Sequence, residues 1–424
     1  MTTTDTALSN ASTTAPGVTD VAPSGVAAGA GHAGDATRRT HVAALDGVRA
    51  IAALLVLLHH AGFASGATFD TAFGPYLARM DVGVAIFFVL SGFLLYRPMV
   101  ARQFAHRPQS DPRPFWIRRA TRIFPAYWLA LVVLLAAGAI AVRGVAGFFW
   151  SATLTHIYHP ERGISGITQS WSLATEISFY LVLPFVAALG VRWLRKRSVA
   201  DQALALLAGL AAVCVASVLF RIAVHEWAPR FRGVAPFWLP SLADIFALGM
   251  ALAVLSAWAE HHPTIRGLCQ RVGARAAWFV AGSVVAFWFV STQLELARGL
   301  ERASLEREIV RQWLYALVGV LLVAPFALGP AVRSRTHRVM AWAPLAWVGL
   351  VSYGVYLWHQ GFLTLAEKAF DWPLFEGHFW GRTAIALIGS LIAAAISFYA
   401  LEQPVSRWVA KRTAARWSSS GARS

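Results

Sequence analysis

The sequence predicts an all-α protein that crosses a membrane about ten times, with both termini on the cytoplasmic side. Three observations carry this. Hydrophobic residues make up 57% of the 424 and charged residues only 14%, whereas ordinary soluble domains are roughly 25% charged. The apolar residues gather into runs of about 18 to 22, the length that spans a ~30 Å hydrocarbon core as helix. These runs are apolar all round, where a surface helix of a soluble protein keeps only a stripe.

Residues 1–42 hold mostly Ala, Thr, Gly and Ser. They are expected to form a disordered, low-complexity tail with no apolar segment of the signal-peptide kind. Ten helices are then expected at 46–64, 82–97, 123–142, 171–190, 203–221, 241–258, 276–292, 312–329, 345–364 and 381–400. The stretch 144–170 contains Phe148, Phe149 and Trp150 but is expected to be re-entrant or interfacial. Counted as an eleventh span, it would put the basic loops after it outside. Ten spans gather most of the 37 Lys and Arg on the cytoplasmic side, as the positive-inside rule requires. The transmembrane domain is therefore 43–408, and 409–424 is a basic cytoplasmic tail. No loop is long enough for an appended globular domain.

The formal net charge of +16 has the same origin. No basic stretch joins a nucleic-acid motif, so membrane lipid rather than nucleic acid is the expected partner. Cys214 falls in a span and Cys269 in a cytoplasmic loop, which argues against a disulfide. No CxxC or HExxH spacing calls for a metal.

Ionisable residues inside spans are costly and mark sites. Here they are His59 and His60 in the first helix, Glu176 in the fourth, Asp244 in the sixth, His359 in the ninth and Glu402 at the end of the tenth. At ~100° per residue, Arg49 lies about 60° and His60 about 40° from Asp46, while His59 points elsewhere. His60 stands roughly 16 Å above Arg49 along the axis. An imidazole titrates near neutrality and is suited to take a proton from a hydroxyl, so His60 is the expected base, with Asp46 or Glu176 as supporting charges. Before the third helix, Arg119 and Arg122 share a helix face at i, i+3, and Arg118 and Arg122 pair at i, i+4. Such a cluster grips phosphates in bidentate fashion, or anchors lipid head groups. Ser352, Tyr356 and His359 form a polar stripe that lines either a cavity or a helix contact. No G-x-S-x-G elbow supports a hydrolase-type serine.

Taken in order, Leu45-Asp-Gly-Val-Arg-Ala-Ile51 with His60, Phe87-Phe-Val-Leu-Ser-Gly-Phe93, Arg119-Ala-Thr-Arg122-Ile-Phe-Pro125, Trp171-Ser-Leu-Ala-Thr-Glu176, Ser352-Tyr-Gly-Val-Tyr-Leu-Trp-His359 and Glu402-Gln-Pro404 form a specific set. The chain resembles the acyltransferase-3 family of bacterial membrane O-acyltransferases, in the form without a fused hydrolase-like domain. The resemblance implies a multi-pass protein of the bacterial cytoplasmic membrane that takes acyl-CoA as donor and a hydroxyl-bearing glycan, glycolipid or other glycoside as acceptor, a secreted macrolide-type glycoside included. It implies essential roles for Arg49 and His60, CoA binding by Arg119 and Arg122, and a functional Glu176. The sequence departs from the family pattern at Ile177, where a second acidic residue is common, and at Gly361, where proline is common. Two rival classes remain: a transporter with a polar-lined path, which predicts repeat-related broken helices, and a non-catalytic scaffold.

Overall fold

The computed structural model describes residues 25–161, 165–299, 303–329 and 334–409, with side chains from Ala43 onward. Of the two expected tails, residues 1–24 and 410–424 lie outside the described residues, while residues 25–42, expected to be disordered, are the first turns of helix α1. The described chain is helical, with no strand. In order come α1 (Gly25–Ala64), α2 (Ala67–Asp70), α3 (Gly74–Arg79), α4 (Val82–Phe104), α5 (Pro112–Ala136), α6 (Gly144–Ala152), α7 (Trp171–Leu194) and α8 (Val199–Trp227). They are followed by α9 (Leu239–Trp258), α10 (Pro263–Ala274), α11 (Ala276–Thr292), α12 (Leu305–Leu328), α13 (Arg335–Met340), α14 (Ala343–Leu350), α15 (Ser352–Phe370) and α16 (Phe379–Ser397), which continues as a π turn to Glu402.

Among the described residues, eight helices are long and apolar enough to cross a membrane. A ninth is counted if α10 and α11, bent by 68° at Arg275, make one span. Two expected spans thus differ from simple rods. Only α11, of 17 residues, is apolar throughout, because α10 carries Arg266 and Arg271. The expected helix 345–364 is broken at Val351 into α14 and α15. The polar residues Ser352, His359, Gln360, Glu367 and Lys368 keep α15 below the apolarity of a lipid-facing span; it is instead buried against α16 and α1.

The 144–170 segment does not cross. Helix α6 has nine residues, and the segment is tied back to the protein by hydrogen bonds. Tyr127 Oη donates to the Ser151 carbonyl at 2.8 Å, and Trp238 Nε1 donates to the Ile157 carbonyl at 2.7 Å. Non-helical backbone at such a place is tolerated only where protein or a cavity satisfies it. His156 within it is fully buried, which pushes its imidazole down to about 4 and keeps it neutral.

The centre of the protein is the packing of α4 on α9, α1 and α12. In lipid, helices associate through close approach rather than the hydrophobic effect, and small residues permit it. At the α4–α9 crossing a Cβ on Gly92 would overlap the Phe246 carbonyl, and one on Gly249 the Val89 carbonyl. The Phe88, Phe246 and Phe179 rings stack through this crossing, with centroids 4.5 and 4.2 Å apart. The break before α15 serves a similar contact: a Cβ on Gly349 would overlap the Asp46 carbonyl.

Candidate active site

Between α1, α4, α5, α7 and α15 lies a cavity of about 100 Å³. Three guanidinium groups line it: Arg49 from α1, and Arg119 and Arg122 from α5. The i, i+3 spacing puts the last two on one face of α5, where Pro112 at the first turn starts the helix and the Asp111 carboxylate caps it by accepting from the Arg113 backbone N–H at 2.9 Å. Arg118 is a correction to the expected cluster. It is exposed and does not line the cavity, because it sits about 100° round the helix from Arg119.

Glu176 enters the same cavity from α7 and accepts a hydrogen bond from Ser91 of α4. Ser172, Ser352 and Tyr356 also line the cavity. The Tyr356 hydroxyl stands 2.7 Å from Ser172 Oγ and donates to the Gln169 carbonyl at 3.1 Å. Two buried donors that line the cavity have no partner: Ser352 Oγ and Arg119 Nε. Buried polar groups are normally hydrogen-bonded, and these two have no partner among the described residues. Gln169, Ser91, Ser172, Tyr180 and Tyr353 were not singled out from sequence. Ser91, Ser172 and Tyr353 lie within the quoted motifs, and no pattern signalled Gln169 or Tyr180.

His60 does not line this cavity. Its ring lies 5.0 Å from that of His359, whose ring is in turn 5.9 Å from Tyr356 in the cavity lining. His359 Nδ1 is 3.1 Å from the Val355 carbonyl, and His60 Nδ1 is 3.0 Å from both the Val56 carbonyl and His359 Nε2. Carbonyl oxygens only accept, so Nδ1 carries the proton in both rings. His60 Nδ1–H is therefore shared between Val56 and His359, and its Nε2 keeps a lone pair. His359, expected in a cavity lining, instead accepts the His60 Nδ1–H at its Nε2, while the Val56 carbonyl fixes the His60 tautomer. His59 points away and donates to the Leu77 carbonyl at 2.9 Å.

The supporting carboxylates also stand elsewhere. Asp46 pairs with Arg49 at 3.9 Å, and Glu176 faces Ser91; neither forms an ion pair with His60. The shared helix face of Asp46, Arg49 and His60 is real, but about 16 Å of axial rise separates the arginine from the imidazole. Among the described residues no group of three His, Cys, Asp or Glu is placed to hold a metal ion.

Residues 42–402 match a family described as "Acyltransferase domain". The chain is 26% identical over 389 residues to the peptidoglycan O-acetyltransferase OatA of Listeria monocytogenes, covering 87% of this chain and 56% of that protein. It is 25% identical over 351 residues to nodulation protein 10 of Rhizobium leguminosarum, covering 76% and 81%. It is 21% identical over 382 residues to the O-acetyltransferase OatA of Staphylococcus aureus, covering 85% and 56%. The chain thus spans just over half the length of those two O-acetyltransferases. No solved structure matches it.

Proposed function

We propose, from the fact that this chain belongs to the acyltransferase family matched over residues 42–402, that it is a membrane O-acyltransferase. In this reading it moves a small acyl group from a cytoplasmic thioester, acyl-CoA, to a hydroxyl of a cell-envelope glycan. The observation that carries this is the cavity lined by Arg49, Arg119, Arg122 and Tyr356, the last against the His359–His60 pair. The names of the Listeria and Staphylococcus relatives support an acetyl group as the cargo, and the Listeria name supports a glycan acceptor.

With both termini in the cytoplasm, the arginine end of the cavity faces the cytoplasm. Anionic groups of the donor meet Arg119 and Arg122, and its arm runs up toward Ser352, whose unpartnered hydroxyl is free to donate to the thioester carbonyl. The acceptor oxygen attacks that carbonyl as His60 Nε2 takes its proton. The C–S bond breaks and the thiolate leaves toward the arginines. His359 accepts the Nδ1–H of the base and positions its ring, and Tyr356 lies against His359 on the cavity side. Glu176, oriented by Ser91, balances the guanidinium charge in the empty cavity. The multi-pass membrane setting is the one expected from sequence.

Two expected results test this. Arg119→Gln and Arg122→Gln each raise KM for the thioester donor about ten- to hundredfold, the loss of one charge-assisted hydrogen bond, with a much smaller effect on kcat; unchanged KM in both would remove the donor from this cavity. His359→Ala lowers kcat about a hundredfold, as a misplaced catalytic group does, leaves donor KM in place and distorts the pH–rate profile of the His60 base. A pH profile identical to wild type would leave His359 with only a packing role.

A further inference from the structure

A second cavity lies at the other end of α4. It has a volume of about 350 Å³, within the ~300–1,000 Å³ range of small-molecule sites. The arginine-lined cavity follows α4 from Val84 to Leu95, while this one touches α4 at Asp81, Val84, Ala85 and Phe88. Val84 and Phe88 are therefore a shared wall: the two spaces meet there and run toward opposite ends of the helix.

The second cavity has unused cationic donors. Arg221, from the end of α8, is only 9% exposed. It gives one Nη to Asp244 at 2.8 Å, while its Nε has no partner. Arg311, from α12, makes no hydrogen bond or ion pair among the described residues; its guanidinium lies 6.0 Å from the Tyr315 ring centre. Asp81 and Glu308 of the lining offset part of the Arg311 charge, but neither forms a hydrogen bond or ion pair with it among the described residues. Asp81 takes the Tyr315 hydroxyl, and Glu308 stands one turn before Arg311, in the first turn of α12. Arg232 at the rim is spent on the His225 carbonyl at 2.8 Å. Two guanidinium groups from different helices, turned on one space, match a carboxylate or phosphate in bidentate geometry. Beside them the Trp171 and Phe237 rings, with centroids 4.8 Å apart, offer the aromatic wall typical of sites for small organic molecules.

We propose that this cavity holds the acceptor, and that the acceptor is an anionic saccharide whose carboxylate or phosphate is gripped by Arg311 and the free Nε of Arg221. The proposal rests on the reading of the protein as a glycan O-acyltransferase, since it names the class of glycan. It also gives these two cavities, which share Val84 and Phe88 in their linings, separate roles: one for the donor and one for the acceptor.

The test is binding, not turnover. The full chain in nanodiscs of neutral lipid is titrated with the disaccharide N-acetylglucosamine–N-acetylmuramic acid, with chitobiose as its uncharged counterpart and with N-acetylglucosamine 1-phosphate. The carboxylate sugar or the phosphate sugar is expected to bind at least tenfold more tightly than chitobiose, and which of the two does so identifies the anion. Arg311→Gln is expected to abolish that preference at unchanged melting temperature, and Arg311→Lys to keep part of it. Equal binding of all three sugars, no binding of any, or a preference that survives Arg311→Gln overturns the proposal. His60→Ala, run in parallel, should bind like wild type. A chain that binds the anionic sugar but never transfers an acyl group would therefore sink the transferase reading and leave the cavity's ligand standing.

Discussion

His60→Ala is expected to lower acyl transfer about a hundred- to ten-thousandfold, the contribution of a positioned general base. The side chain is partly buried and its bonds are to Val56 and His359, so its removal takes away the only ring nitrogen of the His60–His359 pair left with a free lone pair. Little packing is lost, and the melting temperature should stay near that of wild type. The measurement is transfer of a labelled acyl group from the thioester to envelope glycan in isolated membranes. Donor KM should hold, because the residues proposed to bind the donor, Arg119 and Arg122, are on another helix. His59→Ala is the contrast: that ring donates to Leu77 and faces away, so activity should remain within a few-fold of wild type. Wild-type transfer by His60→Ala would end the mechanism proposed for this site.

The second large effect is on stability. Asp244→Ala should destabilise the protein by about 3–5 kcal/mol, the cost of leaving one member of a buried ion pair uncompensated. Asp244 is 1% exposed. Its carboxylate accepts from Arg221 at 2.8 Å, from Gln312 Nε2 at 2.7 Å and from its neighbour's backbone N–H at 2.9 Å. Truncation strands the Arg221 guanidinium and weakens a junction of α8, α9 and α12. The double variant Asp244→Leu with Arg221→Met should recover most of the loss, because an apolar pair of similar volume often does as well as a buried ion pair. Thermal unfolding in a mild detergent reads both. A single variant that melts with wild type, or a double variant worse than either single, would show that the pair does not act as a unit.

How much of this was legible beforehand depended on how local each feature is. Apolar runs, the i, i+3 spacing of Arg119 and Arg122, and the phase of Asp46, Arg49 and His60 on one face follow from helix geometry alone, because a helix repeats with a fixed angle and rise. The short, non-crossing 144–170 segment was likewise readable from charge parity. The sequence also placed His60 and His59 on different faces, and the two rings take different partners, Val56 with His359 and Leu77.

What the sequence by itself determined, then, is an all-helical membrane protein and the set of polar side chains that its helices carry inward. Which of them meet was decided only in the tertiary structure. His60 and His359 are 299 residues apart in the chain and share one hydrogen bond; Glu176 finds Ser91 rather than a histidine; Arg118 turns out of the cavity while Arg119 turns in; and Asp244 finds Arg221. The reason is physical: a residue's direction on its own helix is fixed by its position in the chain, but its partner depends on where close approaches such as Gly92 with Gly249 and Gly349 with Asp46 allow two helices to cross.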